Sequence, residues 1–421
     1  MEKELTGKKL LILAGAAVHC KVVSAAKEMG IYTIVTDYLD DSPTKKLADE
    51  SWMIDIMDID AIVERCKLEQ IDGVLNFCID PAQIPYQKIC EELNIPCYGN
   101  KEQFYTLTNK NAFKEFCEKC AIDVIPSYTV SDIINGKAEY PVFIKPVDSR
   151  GSRGQSICNN KEEAFHSMEL AASESSNGEV IIEKYMGGKQ DFSMTYFVCN
   201  GIPHLIRTCD RYLGRMEDKL DRQCIGCISP SLFSDKYKKN VDCRIKNLIR
   251  ELGIKNGPIF MQGFIDGDTV RFYDPGLRFP GGEYESFLKN ATGVDLMKYM
   301  IRFSLSGKMD WNETDELYKL NGCHSIQLDF TCRAGIIKKF KGIDVISDDK
   351  DVVSIFTRYN EGDTVPDSGD VRQRVCEVGI LLNSDSSVSD KINWVQSQFD
   401  VLDENGKSML ISPLNAEALD Y

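Results

Sequence analysis

The chain has 421 residues, 43% of them hydrophobic and 27% charged, with 65 acids against 50 bases and a formal net charge of −15. That length leaves room for two or three domains with sizeable cores. The acidity argues against a nucleic-acid or anionic-membrane partner, since no basic run offers a local exception.

No stretch of about eighteen apolar residues occurs, so no transmembrane helix is expected. The opening MEKELTGKKLLILAG sets bases before an apolar run, but Glu2 and Glu4 interrupt the basic part. A buried first strand, not a signal peptide, is the expectation, and a cytoplasmic location with it. Sixteen cysteines without a compact repeated framework fit reduced thiols. The four histidines, His19, His166, His204 and His324, stand in no nucleophile or zinc motif, which argues against triad and His-rich metal chemistry.

The first hundred residues alternate strand and helix. KKLLILAG reads as a buried strand, VHCKVVSAAKEMG as a helix closing on Gly30, and IYTIVTDY as a second strand. IDAIVERCKLEQ and AQIPYQKICEELN are helical, with the strand GVLNFC between them. This order predicts a doubly wound parallel sheet. A dinucleotide site would need Gly-x-Gly-x-x-Gly, yet AAVHCK follows Gly15, so Asp37 is expected to be a strand-end residue.

From about residue 105 the pattern becomes α+β. TLTNKNAFKEFCEKCAI predicts one helix, with Phe113, Phe116, Cys117 and Cys120 on its apolar face. IPSYTV and YPVFIKPV predict short strands, KEEAFHSMELAASES a helix and EVIIEKYM a strand. Hairpins are expected at Asn200-Gly201 and Asp266-Gly267. Around Arg207, Asp210, Arg211 and Arg215 the charge fits a mobile substrate-facing loop or a plain solvated face, and QCIGCISP reads as a loop. Cys117/Cys120 and Cys224/Cys227 could pair as a zinc site, but neither has a histidine at ligand spacing. The last hundred residues, with HSIQLDFTC, GIIKKFKG, VVSIFTRY and RVCEVGILLN as strands and SDKINWVQSQF as a helix, form a β-rich region.

The stretch KPVDSRGSRG is ambiguous alone. A lysine leaving an apolar strand into a glycine-bearing loop fits a phosphate cradle and a surface turn equally. Its neighbours raise the first reading. Lys110 opens a helix upstream; Glu183-Lys184-Tyr185-Met186 ends a strand before Asp191; Gln262 lies on one hairpin strand; and Asp274-Pro275-Gly276-Leu277-Arg278 ends the next.

That order resembles the ATP-grasp superfamily, in the branch of biotin carboxylase, carbamoyl phosphate synthetase and glycinamide ribonucleotide synthetase. The resemblance spans roughly residues 8–340 and rests on TNKNAFKEFC, YPVFIKPVDSRGSRG, VIIEKYMGGKQDFS and RFPGGEYESFLKNATGVDLMKYMI. It implies a pre-ATP-grasp α/β domain over 1–104, a two-lobed ATP-grasp domain over 105–320 and a C-terminal β-rich domain over 321–421. It also implies ATP with Mg²⁺ or Mn²⁺, small-molecule carboxylate and amine partners, and a homodimer as an allowed assembly.

Residue by residue, the resemblance makes Lys110 and Lys145 phosphate contacts. Ser149, Gly151, Ser152 and Gly154 belong to the covering loop. Glu183, Lys184 and Met186 form the adenine hinge, Asp191 accepts from ribose, and Arg278 stabilises the transferred phosphoryl group. Bottom-up, the alternative for Arg278 is a surface salt bridge with Glu283 or Glu285, and for the 183–186 strand plain core. The metal positions depart from the family pattern of Glu followed by Glu-x-Asn: here they read Gln262, Asp274 and Gly276. Asp274 and a neutral Gln262 oxygen remain as ligands, a less negative site than usual. The resulting expectation is an ADP-forming carboxylate–amine ligase that works through an acyl-phosphate. The alternatives are a glycinamide ribonucleotide synthetase-like enzyme and a nucleotide binder with a degenerate metal site.

Overall fold

The computed structural model describes residues 4–147, 154–220 and 223–421. It opens with β1 (Lys9–Leu13), α1 (Cys20–Glu28), β2 (Tyr32–Thr36), β3 (Glu50–Trp52), α2 (Ile59–Glu69), β4 (Gly73–Leu75) and α3 (Gln83–Leu93). The strands form a parallel sheet in the order β3-β2-β1-β4. Leu10 to Leu13 are all buried, as a strand covered on both faces requires. Asp37 sits at the end of β2, where its carboxylate accepts from the Gly15 and Leu39 amides at 2.7 and 2.8 Å. The connection after β4 carries Asp80 toward the rest of the molecule.

The single helix expected over TLTNKNAFKEFC is two: α4 (Lys101–Thr108) and α5 (Lys110–Lys119). Asn109 separates them. Its backbone is extended (φ −94°, ψ 114°), and its side chain accepts from the Asn111 and Ala112 amides, capping α5. Lys110 thereby occupies the first turn of a helix whose position is fixed locally.

Next come β5 (Ser127–Tyr128), α6 (Val130–Ile134), β6 (Val142–Pro146), β7 (Ser156–Cys158), α7 (Lys161–Ser173) and β8 (Val180–Lys184). They make a small sheet ordered β5-β8-β6-β7, with α7 against β6 and β7. The strand expected over IPSYTV stops at Tyr128 because Thr129 and Asp132 form a capping box that starts α6.

The middle of the chain supplies β9 (Asp191–Cys199), β10 (Ile202–Leu213), β11 (Cys224–Ser229), α8 (Ser234–Asn240), α9 (Asp242–Glu251), β12 (Gly257–Asp266), β13 (Thr269–Gly276), α10 (Tyr284–Thr292) and α11 (Leu296–Ser306). The remainder adds β14 (His324–Cys332), β15 (Gly335–Ile336), β16 (Lys339–Lys341), α12 (Ile343–Ser347), β17 (Val352–Thr357), β18 (Thr364–Val365), β19 (Arg374–Leu382), α13 (Val388–Gln398), β20 (Asp400–Leu402) and β21 (Leu410–Ile411). One large antiparallel sheet runs β13-β12-β9-β10-β11-β14-β19-β17, so strands from the middle and the end of the chain share a ladder.

Three expectations change here. QCIGCISP is not a loop: β11 lies inside the sheet, hydrogen-bonded to β10 and β14, and that pairing overrides its weak alternation. Arg207, Asp210 and Arg211 sit on β10, not on a mobile loop, and only Arg215 lies past its end. GIIKKFKG splits into β15 and β16, which pair with different partners, β18 and β20. The Asn200-Gly201 and Asp266-Gly267 hairpins form as expected, between β9 and β10 and between β12 and β13.

Candidate active site

A cavity of about 830 Å³ opens between the small sheet and the large one. Lys110, Lys145, Glu183, Lys184, Met186, Asp191, Gln262, Asp274 and Arg278 all line it. Residues more than 160 positions apart in sequence thus meet around one space. Ser149, Gly151 and Ser152 lie outside the described residues. Gly154, at φ +67°, stands where a Cβ would meet Pro146 Cγ at 2.9 Å, so glycine suits it twice over.

The electrostatic centre is Glu183. On β8 it pairs with Phe143 of β6, and Lys145, two residues further along β6, is its diagonal neighbour on the same face. Lys145 Nζ reaches one carboxylate oxygen at 2.6 Å, and Lys114 Nζ holds the other. Glu183 is 1% exposed and Lys145 3%. Burial alone would raise the Glu183 carboxyl, but the two ammonium groups more than offset it and hold it below the usual carboxylate range. Glu183 is therefore not part of a plain core strand: its carboxylate is the buried counter-charge of two lysines.

Sequence reasoning missed Lys114. It also donates to Ile125 O at 2.9 Å and Ser127 Oγ at 2.5 Å, tying α5 to the start of β5. The signal was present: Lys110 and Lys114 stand four apart on one helix and so share a face. Lys110 Nζ donates to Val147 O at 3.3 Å. Burial pushes its ammonium below the ordinary lysine range, with attraction to Asp274 partly offsetting that.

Gln262 and Asp274 face each other directly across β12 and β13. Their side chains present one carboxylate and one amide oxygen to the cavity, and the Tyr273 hydroxyl lies 3.4 Å from Gln262 Oε1. This donor set suits one divalent cation whose remaining ligands are phosphate and water. A side chain at Gly276 has no room, because a Cβ there would lie 2.3 Å from Phe260 Cε1.

Arg278 departs from its bottom-up alternative. Glu285 and Glu283 pair with Lys21, at 2.9 and 3.6 Å, whereas Arg278 forms a forked ion pair with Asp80. Its Nη2 meets Asp80 Oδ2 at 2.7 Å, Nη1 donates to Phe279 O at 2.8 Å, and the guanidinium lies 4.8 Å from the Phe260 ring centroid. The partner comes from the first sheet's loop, 198 residues away. No local pattern could reveal it.

Asp191 opens β9 directly opposite Arg211 of β10. Arg211 Nη1 donates to Asp191 Oδ2 at 2.7 Å and the Tyr273 hydroxyl to both oxygens at 3.2 Å. Burial pushes the Asp191 carboxyl up to about 6 despite Arg211. The end of β8 is fixed through its backbone: Lys184 N donates to Pro126 O at 2.9 Å and Tyr185 N to Pro141 O at 3.2 Å. The Lys184 side chain points outward to Glu139, at 2.8 Å. Ile125, Phe143, Met186 and Phe264 give this end of the cavity apolar walls.

Residues 138–273 match the ATP-grasp domain. The small subunit of 2-oxoglutarate carboxylase from Hydrogenobacter thermophilus is 23% identical over 335 residues, covering 73% of this chain and 69% of that one. The biotin carboxylase domain dimer of the same organism's enzyme, solved with MgADP, ADP and bicarbonate, superposes with a TM-score of 0.76 at 18% identity, over 96% of this chain and 91% of that one. The L-amino acid ligase of Bacillus licheniformis gives 0.77 at 14% identity, over 95% and 100%. Residues 138–273 thus carry an ATP-grasp domain, and the chain as a whole is similar to the biotin carboxylases and shares its fold with a phosphoribosylglycinamide synthetase.

Two expectations follow from the geometry. Glu183→Gln leaves Lys114 and Lys145 without their counter-charge, so urea unfolding without nucleotide should show a loss of about 3–5 kcal/mol. Saturating ATP should recover part of that loss, because phosphate supplies the missing negative charge; equal stability of variant and wild type would contradict the assignment. Asp191 loses its proton as pH rises through about 6. If the ionised form accepts from ribose, wild-type affinity for ATP should fall below pH 6 more steeply than that of Asp191→Asn, as read by calorimetry between pH 5 and 8.

Proposed function

We propose that the chain is an ADP-forming ligase that joins a small carboxylate to an amine through an acyl-phosphate. The observation that carries the reading is the convergence of three cations, the buried Lys145 and the half-buried Lys110 and Arg278, with Asp274 and Gln262 on one cavity. ATP brings about four negative charges, and fixed cations in a site shielded from water stabilise them without reorganisation. In this reading Lys110 and Lys145 hold the polyphosphate. The apolar walls take the adenine, the 184–186 backbone reads its edge, and Asp191 accepts from the ribose. Residues 1–104 supply Asp80, 105–320 the nucleotide lobes and 321–421 the far wall. Small-molecule partners, a homodimer and a cytoplasmic site of action complete the proposal.

Asp274 and Gln262 would hold a divalent cation, which draws charge off the phosphates when bound. Arg278, locked by Asp80 and resting on Phe260, would face the transferred phosphoryl group. A free carboxylate is a poor electrophile because its leaving group would be oxide. Phosphorylation supplies a stable leaving group, and the amine nitrogen then attacks the acyl carbon while the C–O bond to phosphate breaks. The chain contributes positioning and charge, with no protein nucleophile.

Gln262 and the closed space at Gly276 favour a second reading, a nucleotide binder with a reduced metal site. A glycinamide ribonucleotide synthetase-like enzyme is the narrower alternative within the ligase class. ADP release on mixing with panels of carboxylates and amines separates ligase from binder. Lys145→Ala should weaken ATP binding by roughly ten- to a hundredfold, the loss of one charge-assisted contact. Asp274→Asn should abolish most ADP release at millimolar Mg²⁺ while ATP binding changes little. Full turnover in Asp274→Asn would remove the metal assignment, and no turnover in the wild type across the panels would favour the binder.

A further inference from the structure

The cavity continues past the nucleotide residues, beyond β9 and β10, to the start of β11, where Gln223, Cys224 and Arg374 line it. Two hydrogen-bond donors there have no partner among the described residues. Gln223 is 6% exposed and its Nε2 is buried without an acceptor. Arg374 Nε, on a side chain 14% exposed, is in the same condition. They are neighbours, since Arg374 Nη2 donates to the carbonyl of Cys224 at 3.0 Å, the residue after Gln223. Buried polar groups are nearly always satisfied, and leaving a donor unpaired costs about 1–3 kcal/mol. Two such donors on one cavity wall mark a position shaped for an acceptor.

We infer that Gln223 Nε2 and Arg374 Nε form a recognition corner for the carboxylate of a small organic substrate, a deepening that rests on the ligase reading. The charges around the corner select the ligand. Arg374 is balanced by Asp329 at 3.0 Å and shares Glu377 with Arg358. Two arginines against two carboxylates leave the cluster formally neutral. Two free donors match a carboxylate's two oxygens, and a single negative charge sets less repulsion against Asp329 and Glu377 than a phosphate dianion would. Arg374 is held in place by its acidic partners, so its Nε is presented in a fixed direction.

The test is titration calorimetry with a non-hydrolysable ATP analogue and Mg²⁺ present, using glycine, L-glutamate and succinate as probes against glycinamide, L-glutamine and succinamide. At least one carboxylate should bind one-to-one, and the amide made at the recognised carboxylate at least tenfold more weakly. Gln223→Leu should weaken that carboxylate by roughly ten- to a hundredfold. Gln223→Glu, nearly the same size, should weaken it further by setting like charge against it. Affinity for the ATP analogue should stay the same in both variants. No carboxylate binding to the wild type, equal binding of acid and amide, or unchanged affinity in the variants would each overturn the corner. Carboxylate binding that depends on Gln223 without any ADP formation leaves the corner standing and removes the ligase reading. ADP formation indifferent to Gln223 does the reverse.

Discussion

A buried carboxylate between two lysines organises this molecule. Glu183 belongs to β8, Lys145 to β6 and Lys114 to α5, so a single side chain fixes the relative positions of a sheet and a helix. Such a triad carries one net positive charge in a poorly solvated place. Ion groups of this kind add little to stability over a well-packed apolar cluster, because desolvation consumes most of the attraction. Their retention makes sense where a further negative group arrives, and the cavity beside Lys145 is the place for it. Lys114 takes up half of the Glu183 charge, which leaves Lys145 less tightly held and available to be shared with a phosphate oxygen.

The same logic of long-range anchoring holds on the opposite wall. Arg278 ends a hairpin of the large sheet, yet its forked partner Asp80 comes from the first parallel sheet. Phe260 closes the arrangement from below, filling the space beside Gly276 and supporting the guanidinium face. A site with one carboxylate, one amide oxygen and several nearby cations relies more on protein charge, and less on metal ligands, than a site built from two carboxylates and an amide. Asp191 shows the cost of this density: even with Arg211 opposite, burial pushes its carboxyl up to about 6.

Much of this was legible in the sequence where chemistry and local pattern coincide. Lys145 ends an apolar strand, Glu183 to Met186 end another, and the Asp266-Gly267 turn sets Gln262 and Asp274 on facing strands; each follows from period-two patterning and turn residues. Lys114 needed only the step from helix to helix face. Other features are set by tertiary partners and leave no local trace. Asp80 meets Arg278 across most of the chain, and Arg374 reaches β11 from the far side of β14. β11 looked like a loop because small residues and cysteines hide its alternation, and only β10 and β14 make it a strand. The break at Asn109 was the reverse case, a local cap that outweighed a continuous helical pattern.

The central claim is that the cavity activates a carboxylate by phosphorylating it. The most direct measurement follows isotope transfer: a carboxylate substrate labelled with ¹⁸O on both oxygens is turned over with ATP and an amine, and the released phosphate is weighed by mass spectrometry. The account predicts ADP as the nucleotide product and one labelled oxygen per phosphate, delivered when the acyl C–O bond breaks. Unlabelled phosphate, or AMP with pyrophosphate, would contradict it.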